Sequence, residues 1–198
     1  MQKKLCSECG IEKAVQLYDR IYLENLKERR IILNEEIMPS VLDTVAMQIK
    51  KFNLEDEGKP VEERKPIELH INSYGGSVYD GFGIVNAIVT SKTPVHAYCD
   101  GYVMSMGLAI FTAAHKRFAA PYSTFMYHEI STMVYGKNEE IERVTVENKR
   151  LQKMYDSLIL KNSNLTQKQL DSKRKQLKDW YFGAEDAKNF GIVHEIIE

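Results

Sequence analysis

Ser105, His128 and Asp179 are the side chains of this sequence whose types and settings suit acyl transfer. Acyl transfer by serine needs a nucleophile, a base, a group that orients the base, and an oxyanion hole. Ser105 lies in Asp100-Gly101-Tyr102-Val103-Met104-Ser105-Met106-Gly107. Thr93–Cys99 before it reads as a short buried strand, and Leu108–Ala114 after it, apolar and Ala-rich, reads as a buried helix. Such a junction can hold a hydroxyl at a helix N-terminus, where free N–H groups and the helix dipole favour a developing anion. Serine is also a favoured N-cap, and on that stretch alone a cap is the simpler reading.

His128 is the base candidate because it ends the strand Thr124–Tyr127, at the carboxyl edge where α/β sites collect. The other four histidines read better as structure or surface: His70 lies inside a strand, His96 at a strand start, and His115 and His194 near element ends. Asp179, just before Trp180-Tyr181-Phe182, is the orienting carboxylate candidate; a surface acid at a helix end would look the same. The Gly75-Gly76 turn allows close backbone approach and offers the Gly76 amide, and Met106 offers a second. Two such amides would form an oxyanion hole. Spacing alone does not bring these parts together.

The elements that must position them alternate. Residues 11–28 carry apolar residues at mainly helical spacing, and Arg29–Asn34 reads as a strand. Pro39-Ser40 opens a helix with Leu42, Val45, Ile49 and Phe52 on one face. Residues 53–66 are polar and charged with two prolines, which predicts a solvated surface loop. Then come strand Ile67–Asn72, the glycine turn, a helix from Val78 to about Ser91, and the Ser105 unit, followed by strands at Arg117–Ala120 and Thr124–Tyr127. Strands alternating with helices predict an α/β fold with a parallel sheet. From residue 138 to 161, Ile141, Val144, Leu151, Met154, Tyr155 and Leu158 recur at helical spacing. That long helix is expected to project, its stripe fitting either another subunit or its own sheet. A shorter helix is expected over Leu165–Lys178, and Tyr181-Phe182 and Ile192–Ile197 close the chain around Ala184–Ala187.

The totals narrow the function classes. With 198 residues the chain is expected to form one domain, and 43% hydrophobic with 28% charged residues is ordinary for a globular protein. A net charge of −1 asks for no nucleic acid and no anionic membrane as partner. The N-terminus has two lysines without an apolar run behind them, so no signal peptide is read and a cytoplasmic location is expected. Cys6 and Cys9 form a lone CxxC without a second ligand pair; ordinary thiols, no metal and no cofactor are expected.

Four segments together resemble the ClpP family of self-compartmentalised serine peptidases, in a divergent member. Ile71-Asn72-Ser73-Tyr74-Gly75-Gly76 resembles its glycine turn, and Gly101–Gly107, with Ser-Met-Gly intact, its nucleophile segment. Met126-Tyr127-His128 resembles the histidine segment, and Asp179–Ala187 with Phe190-Gly191-Ile192-Val193 the C-terminal Asp segment. Lys27–Leu33 is similar to the first strand, and the resemblance runs from about Tyr22, leaving residues 1–21 as an N-terminal segment and 22–198 as the peptidase domain. The resemblance implies a ClpP/crotonase-like α/β fold of repeated β-β-α units with a projecting handle helix at about 138–161. It implies Ser105 as nucleophile, His128 as base, Asp179 as its partner, and the Gly76 and Met106 amides as oxyanion hole. It further implies heptameric rings, two of them stacked, enclosing a chamber where unfolded polypeptides delivered by a AAA+ unfoldase such as ClpX, ClpA or ClpC are cut.

The sequence departs from that pattern in places. Tyr74 stands where the family has proline, freeing a turn the family stiffens. Glu129–Gly136 replaces a Gln-Pro and a glycine-rich substrate strand, and the 53–66 loop is longer. Two other readings follow: a catalytically silent ring subunit with a structural role, and a crotonase-like acyl-CoA enzyme, which shares the paired-amide oxyanion hole but needs no Ser-His-Asp set. Nothing in the sequence reads as a CoA adenine site.

Overall fold

The computed structural model describes residues 8–176 and 179–197, with side chains from residue 19 and at Leu17. Cys6 and the side chain of Cys9 lie outside the described residues. The elements run α1 (Glu8–Lys27), β1 (Arg30–Leu33), α2 (Pro39–Glu55), β2 (Ile67–Ser73), α3 (Val78–Val89), β3 (Val95–Met104), α4 (Met106–Ala113), β4 (Lys116–Ala119) and β5 (Thr124–Tyr127). After these come α5 (Asn138–Lys161), α6 (Gln167–Lys175), β6 (Trp180–Gly183), α7 (Ala184–Asn189) and β7 (Glu195–Ile196).

The sheet has the order β1-β2-β3-β4-β7, all neighbours parallel, as the alternation of strands and helices predicts. One face of β2, with Ile67, Leu69 and Ile71, is buried, and Ile49 and Phe52 of α2 and Ile84 and Ile88 of α3 join the same core. On the other face His70, Tyr98 and Phe118 stack, with ring centroids 4.7 and 4.8 Å apart, and stay half-buried. Helix α4 is buried along its whole length, as its apolar composition requires.

Strand β3 is longer than its sequence suggests. The strand expected to end at Cys99 continues through Asp100-Gly101 to Met104 and changes partner on the way. His96–Cys99 pair with β4, while Tyr102–Met104 pair with β5. An irregularity in the β2–β3 register absorbs the change, and the Tyr102 N–H donates to Asn72 Oδ1 at 3.3 Å. A side chain at Gly101 would place its Cβ 3.0 Å from that same oxygen. This split sends β5 off the main sheet and leaves its other edge to pair antiparallel with β6.

Two more expectations need correction. Helix α2 runs into the predicted loop as far as Glu55, and Asp56 in that loop is buried, not solvated. Arg29 donates to Asp56 Oδ2 at 2.5 Å, Thr93 Oγ1 donates to it at 3.0 Å, and Lys59 to Oδ1 at 2.8 Å. The long helix is present over the expected residues, but Leu151, Tyr155 and Ile159 are buried within the subunit itself. The half before residue 151 is the exposed one, with Val146 at 63% and Ile141 at 36%.

Candidate active site

Ser105 stands between β3 and α4 with φ 51° and ψ −124°, in the left-handed region that side chains rarely adopt. Such a conformation costs about 1–3 kcal/mol and persists only where neighbours fix it. Here the Ser105 N–H donates to Met126 O at 3.0 Å. Its carbonyl accepts from the Leu108 amide at 2.9 Å and from the Tyr155 hydroxyl at 3.1 Å. Burial pushes the Tyr155 phenol well up, with Tyr127 and Asp156 adding to it, so this hydroxyl stays a donor. The Ser105 side chain makes no helix-capping bond. Its Oγ lies 2.7 Å from His128 Nε2 instead, so the cap reading of this serine fails.

Strand pairing explains why the histidine arrives there. Met104 is opposite Met126 in the parallel β3–β5 ladder, so both strands end at the same edge. In the antiparallel β5–β6 ladder Tyr127 is opposite Trp180, which makes His128 and Asp179 the next two residues facing each other. Asp179 Oδ1 lies 3.8 Å from His128 Nδ1, an electrostatic contact longer than a hydrogen bond. The carboxylate is half exposed and accepts a long bond, 3.4 Å, from the Tyr181 hydroxyl.

The glycine turn closes the other side. Gly75 has φ +103° and Gly76 φ +142°, both in glycine's territory. Ile37 pins the turn by donating to Gly75 O at 2.7 Å and accepting from the Ser77 N–H at 2.8 Å. The Gly75 N–H is held by Ser73 Oγ at 3.1 Å. The Gly76 and Met106 amides have no acceptor among the described residues, and Met106 opens α4, where an N–H has no helical partner. Gly76, Met106, Ser105 and His128 line one small cleft of about 60 Å³ with Val78, Ile130 and Tyr155. A larger groove of about 480 Å³ beside Asn53, Leu54 and Lys92 holds no histidine, so size alone does not mark the site.

All five residues singled out from the sequence thus come together, with Asp179 the loosest. The sequence reading missed the supporting side of α5. Gln152 Oε1 accepts from the Ile130 N–H at 2.7 Å, Tyr155 holds Ser105, and Asp156 Oδ1 accepts from the Tyr127 hydroxyl at 2.7 Å. The only sequence signal was polar Gln152 and Asp156 on the same helical face as apolar Tyr155 and Ile159.

A serine hydroxyl in hydrogen-bond contact with a histidine, with a carboxylate behind it and two amides in front that find no acceptor among the described residues, is the arrangement serine acyl transfer requires. Among solved structures, the chain is similar to a mutant of ClpP1 from Listeria monocytogenes, with a TM-score of 0.76 and 27% identity over 90% of this chain and 96% of that one. A family model described as Clp protease matches residues 12–198. The chain therefore belongs to the Clp protease family.

Proposed function

We propose that this protein is a serine endopeptidase in which Ser105 attacks the scissile carbonyl, His128 is general base and Asp179 orients it. The observation that carries this reading is the 2.7 Å contact from Ser105 Oγ to His128 Nε2, beside two unpaired amides. Neutral His128 takes the Oγ proton on Nε2 as Oγ bonds to the carbonyl carbon. The carbonyl oxygen becomes an oxyanion and is stabilised by the N–H groups of Gly76 and Met106. His128 then passes its proton to the leaving amine, and water, deprotonated by the same nitrogen, releases the acyl group. Because the base must start neutral, hydrolysis falls off in acid. The Asp179 contact of 3.8 Å supports a substrate-free state, since catalytic hydrogen bonds commonly tighten in the complex.

The substrates we propose are unfolded polypeptides, cut inside a chamber of stacked heptameric rings fed by a AAA+ unfoldase. Support comes from the family and from apolar surface left bare: Met133 and Tyr135 are fully exposed in the segment that follows Ile130 in sequence, and Val146 of α5 is exposed. The half-buried His70–Tyr98–Phe118 row is a second such face. Among the described residues no helix is long and apolar enough to cross a membrane.

The test is mass analysis after treatment with a serine-directed phosphonate, beside peptide hydrolysis by Ser105→Ala. One adduct on Ser105, and a loss of turnover on the order of 10⁴–10⁶ in the variant, are expected. The long His128–Asp179 contact is the observation that favours a silent ring subunit. An unlabelled Ser105 with no hydrolysis would establish that second reading.

A further inference from the structure

Beneath the cleft lies a buried carboxylate that the peptidase chemistry does not use. Asp156 is 4% exposed, and it accepts from Tyr127 Oη at 2.7 Å, Gln152 Nε2 at 2.8 Å, Gln167 Nε2 at 3.3 Å and the Arg174 guanidinium. A buried ion pair is weak evidence for stability, because desolvating both charges offsets most of their attraction. Apolar packing would fill this space at least as well. What the pair does supply is geometry. It joins three elements: β5 through Tyr127, α5 through Asp156, and α6 through Arg174.

Each of those elements leads to a proposed catalytic group. Tyr127 is followed at once by His128. Arg174 sits in the last turn of α6, and the chain leaving that turn reaches Asp179. Its second arm is tied to Asp171 of the same helix, so the guanidinium fork has a fixed direction. Its neighbour Lys173 lies over the Trp180 ring, 4.7 Å from the centroid, and Trp180 stands edge-on to Tyr127 at 6.4 Å. Trp180, next to Asp179, is therefore tied to α6 through Lys173 and to Tyr127 through its ring, and Arg174 ties α6 to the hydroxyl of the same tyrosine. The phenol can serve as a fixed donor, since burial first and its bond to Asp156 second keep it protonated far above neutrality.

We propose that Asp156 and Arg174 are positioning residues that set the approach of Asp179 to His128. The proposal rests on the peptidase reading. Through the Asp156–Arg174 pair, the end of α6 is docked on the helix and strand that carry the rest of the site. Among the described residues, the half-exposed Asp179 is contacted by His128 at 3.8 Å and by the Tyr181 hydroxyl at 3.4 Å, both loose. Without the pair, the contact of 3.8 Å lengthens and His128 loses its orientation, while the cleft that binds peptide stays formed.

The experiment uses the full chain with Asp156→Asn, Arg174→Gln and Arg174→Lys. Peptide turnover is resolved into kcat and KM, and acrylamide quenching is measured on Trp180, the sole tryptophan. Asp156→Asn and Arg174→Gln are expected to lower kcat by about 10–100-fold, with KM within about twofold and Trp180 quenched more readily. Arg174→Lys keeps the charge and loses the fork, and its rate is expected to fall between that of Arg174→Gln and that of the unaltered protein. Unchanged kcat in a folded Asp156→Asn overturns the proposal. So does a loss carried by KM with quenching unchanged, or an Arg174→Lys as poor as Arg174→Gln. If Asp156→Asn does not fold, the two Arg174 variants decide alone. If the unaltered protein hydrolyses no peptide, the peptidase reading fails, and quenching still decides whether the pair holds the Asp179 segment.

Discussion

Gly75→Ala would disturb the nucleophile without deleting any group of the site. An added Cβ would lie 2.6 Å from Ser105 Cβ, 3.0 Å from Met104 O and 3.0 Å from Met106 N. Two of those atoms are backbone and the third is the root of the nucleophile, so no flexible tail can swing away. Ordinary contact begins at about 3.4 Å, and Ser105 or the glycine turn must retreat by roughly 0.8 Å. Misplacement near 1 Å costs on the order of 10²-fold in rate. The φ of +103° adds about 1–2 kcal/mol of backbone strain, which lowers Tm by about 2–4 °C for each kcal/mol. The assay is initial rate on a fluorogenic peptide, with the rate of phosphonate labelling of Ser105 and a thermal melt. Gly58→Ala is the control: its φ is +83° and nothing lies within 4 Å of the new Cβ, so it should lose stability and keep the rate. A folded Gly75→Ala with kcat/KM within twofold of the unaltered protein would refute the idea that this turn and Ser105 act as one rigid unit.

Asp56→Asn should destabilise the fold by about 1.5–3 kcal/mol near neutrality, because it weakens the buried charge-assisted bond from Arg29, whose other carboxylate contact, to Glu55 at 3.5 Å, is longer. The Arg29 bond holds the Asp56 carboxyl far below the usual range, so its contribution is full above the unfolded value of about 4 and shrinks as pH falls beneath it. Urea melts from pH 7 down to 3 should show the gap narrowing; a constant gap would mean the charge is not what is lost. Burial pushes the Cys99 thiol up to about 12, so iodoacetamide should leave Cys99 unmodified in the native protein and label it after unfolding, as read by peptide mapping. Ile141→Glu with Val146→Glu, on the exposed half of α5, should reduce the sedimenting particle without loss of helical signal; an unchanged particle would place that half outside any interface.

The site was legible in the sequence because its parts lie at element ends, and element ends are what turn and cap residues mark. Gly75-Gly76, Ser105 before an apolar helix, and His128 after a strand all announce themselves in this way. What the local pattern could not give was whether Ser105 caps its helix or faces a histidine, since both uses place serine at the same position; the resemblance of four segments tipped that choice. The continuation of β3 past Asp100-Gly101 was hidden because turn-like residues here serve a change of strand partner. Asp56 read as solvent-facing because its burial depends on Arg29, distant in sequence and far off any helical or strand period. The α5 stripe left open whether another subunit or the chain's own sheet covers it, because periodicity reports that a face is covered, not by what. Leu151 and Tyr155 turn out to be covered by the subunit's own core, and the polar residues between them carry the supporting network.

The antiparallel pairing of β5 with β6 has a consequence for how this protein comes into being. A chain made from its N-terminus holds Ser105 and His128 long before Asp179, which follows only after α5 and α6. A nascent or half-folded molecule therefore carries Ser105 and His128 without the carboxylate proposed to orient the histidine. The Tyr127–Trp180 pairing that brings Asp179 in forms only when β6 closes on an edge of β5 left open until then. Hydrolytic power would thus arise at the last step of folding, by a long-range contact of the kind that forms slowly. On the proposed peptidase reading, a chain still emerging has its least hydrolytic power while unfolded neighbours stand beside it.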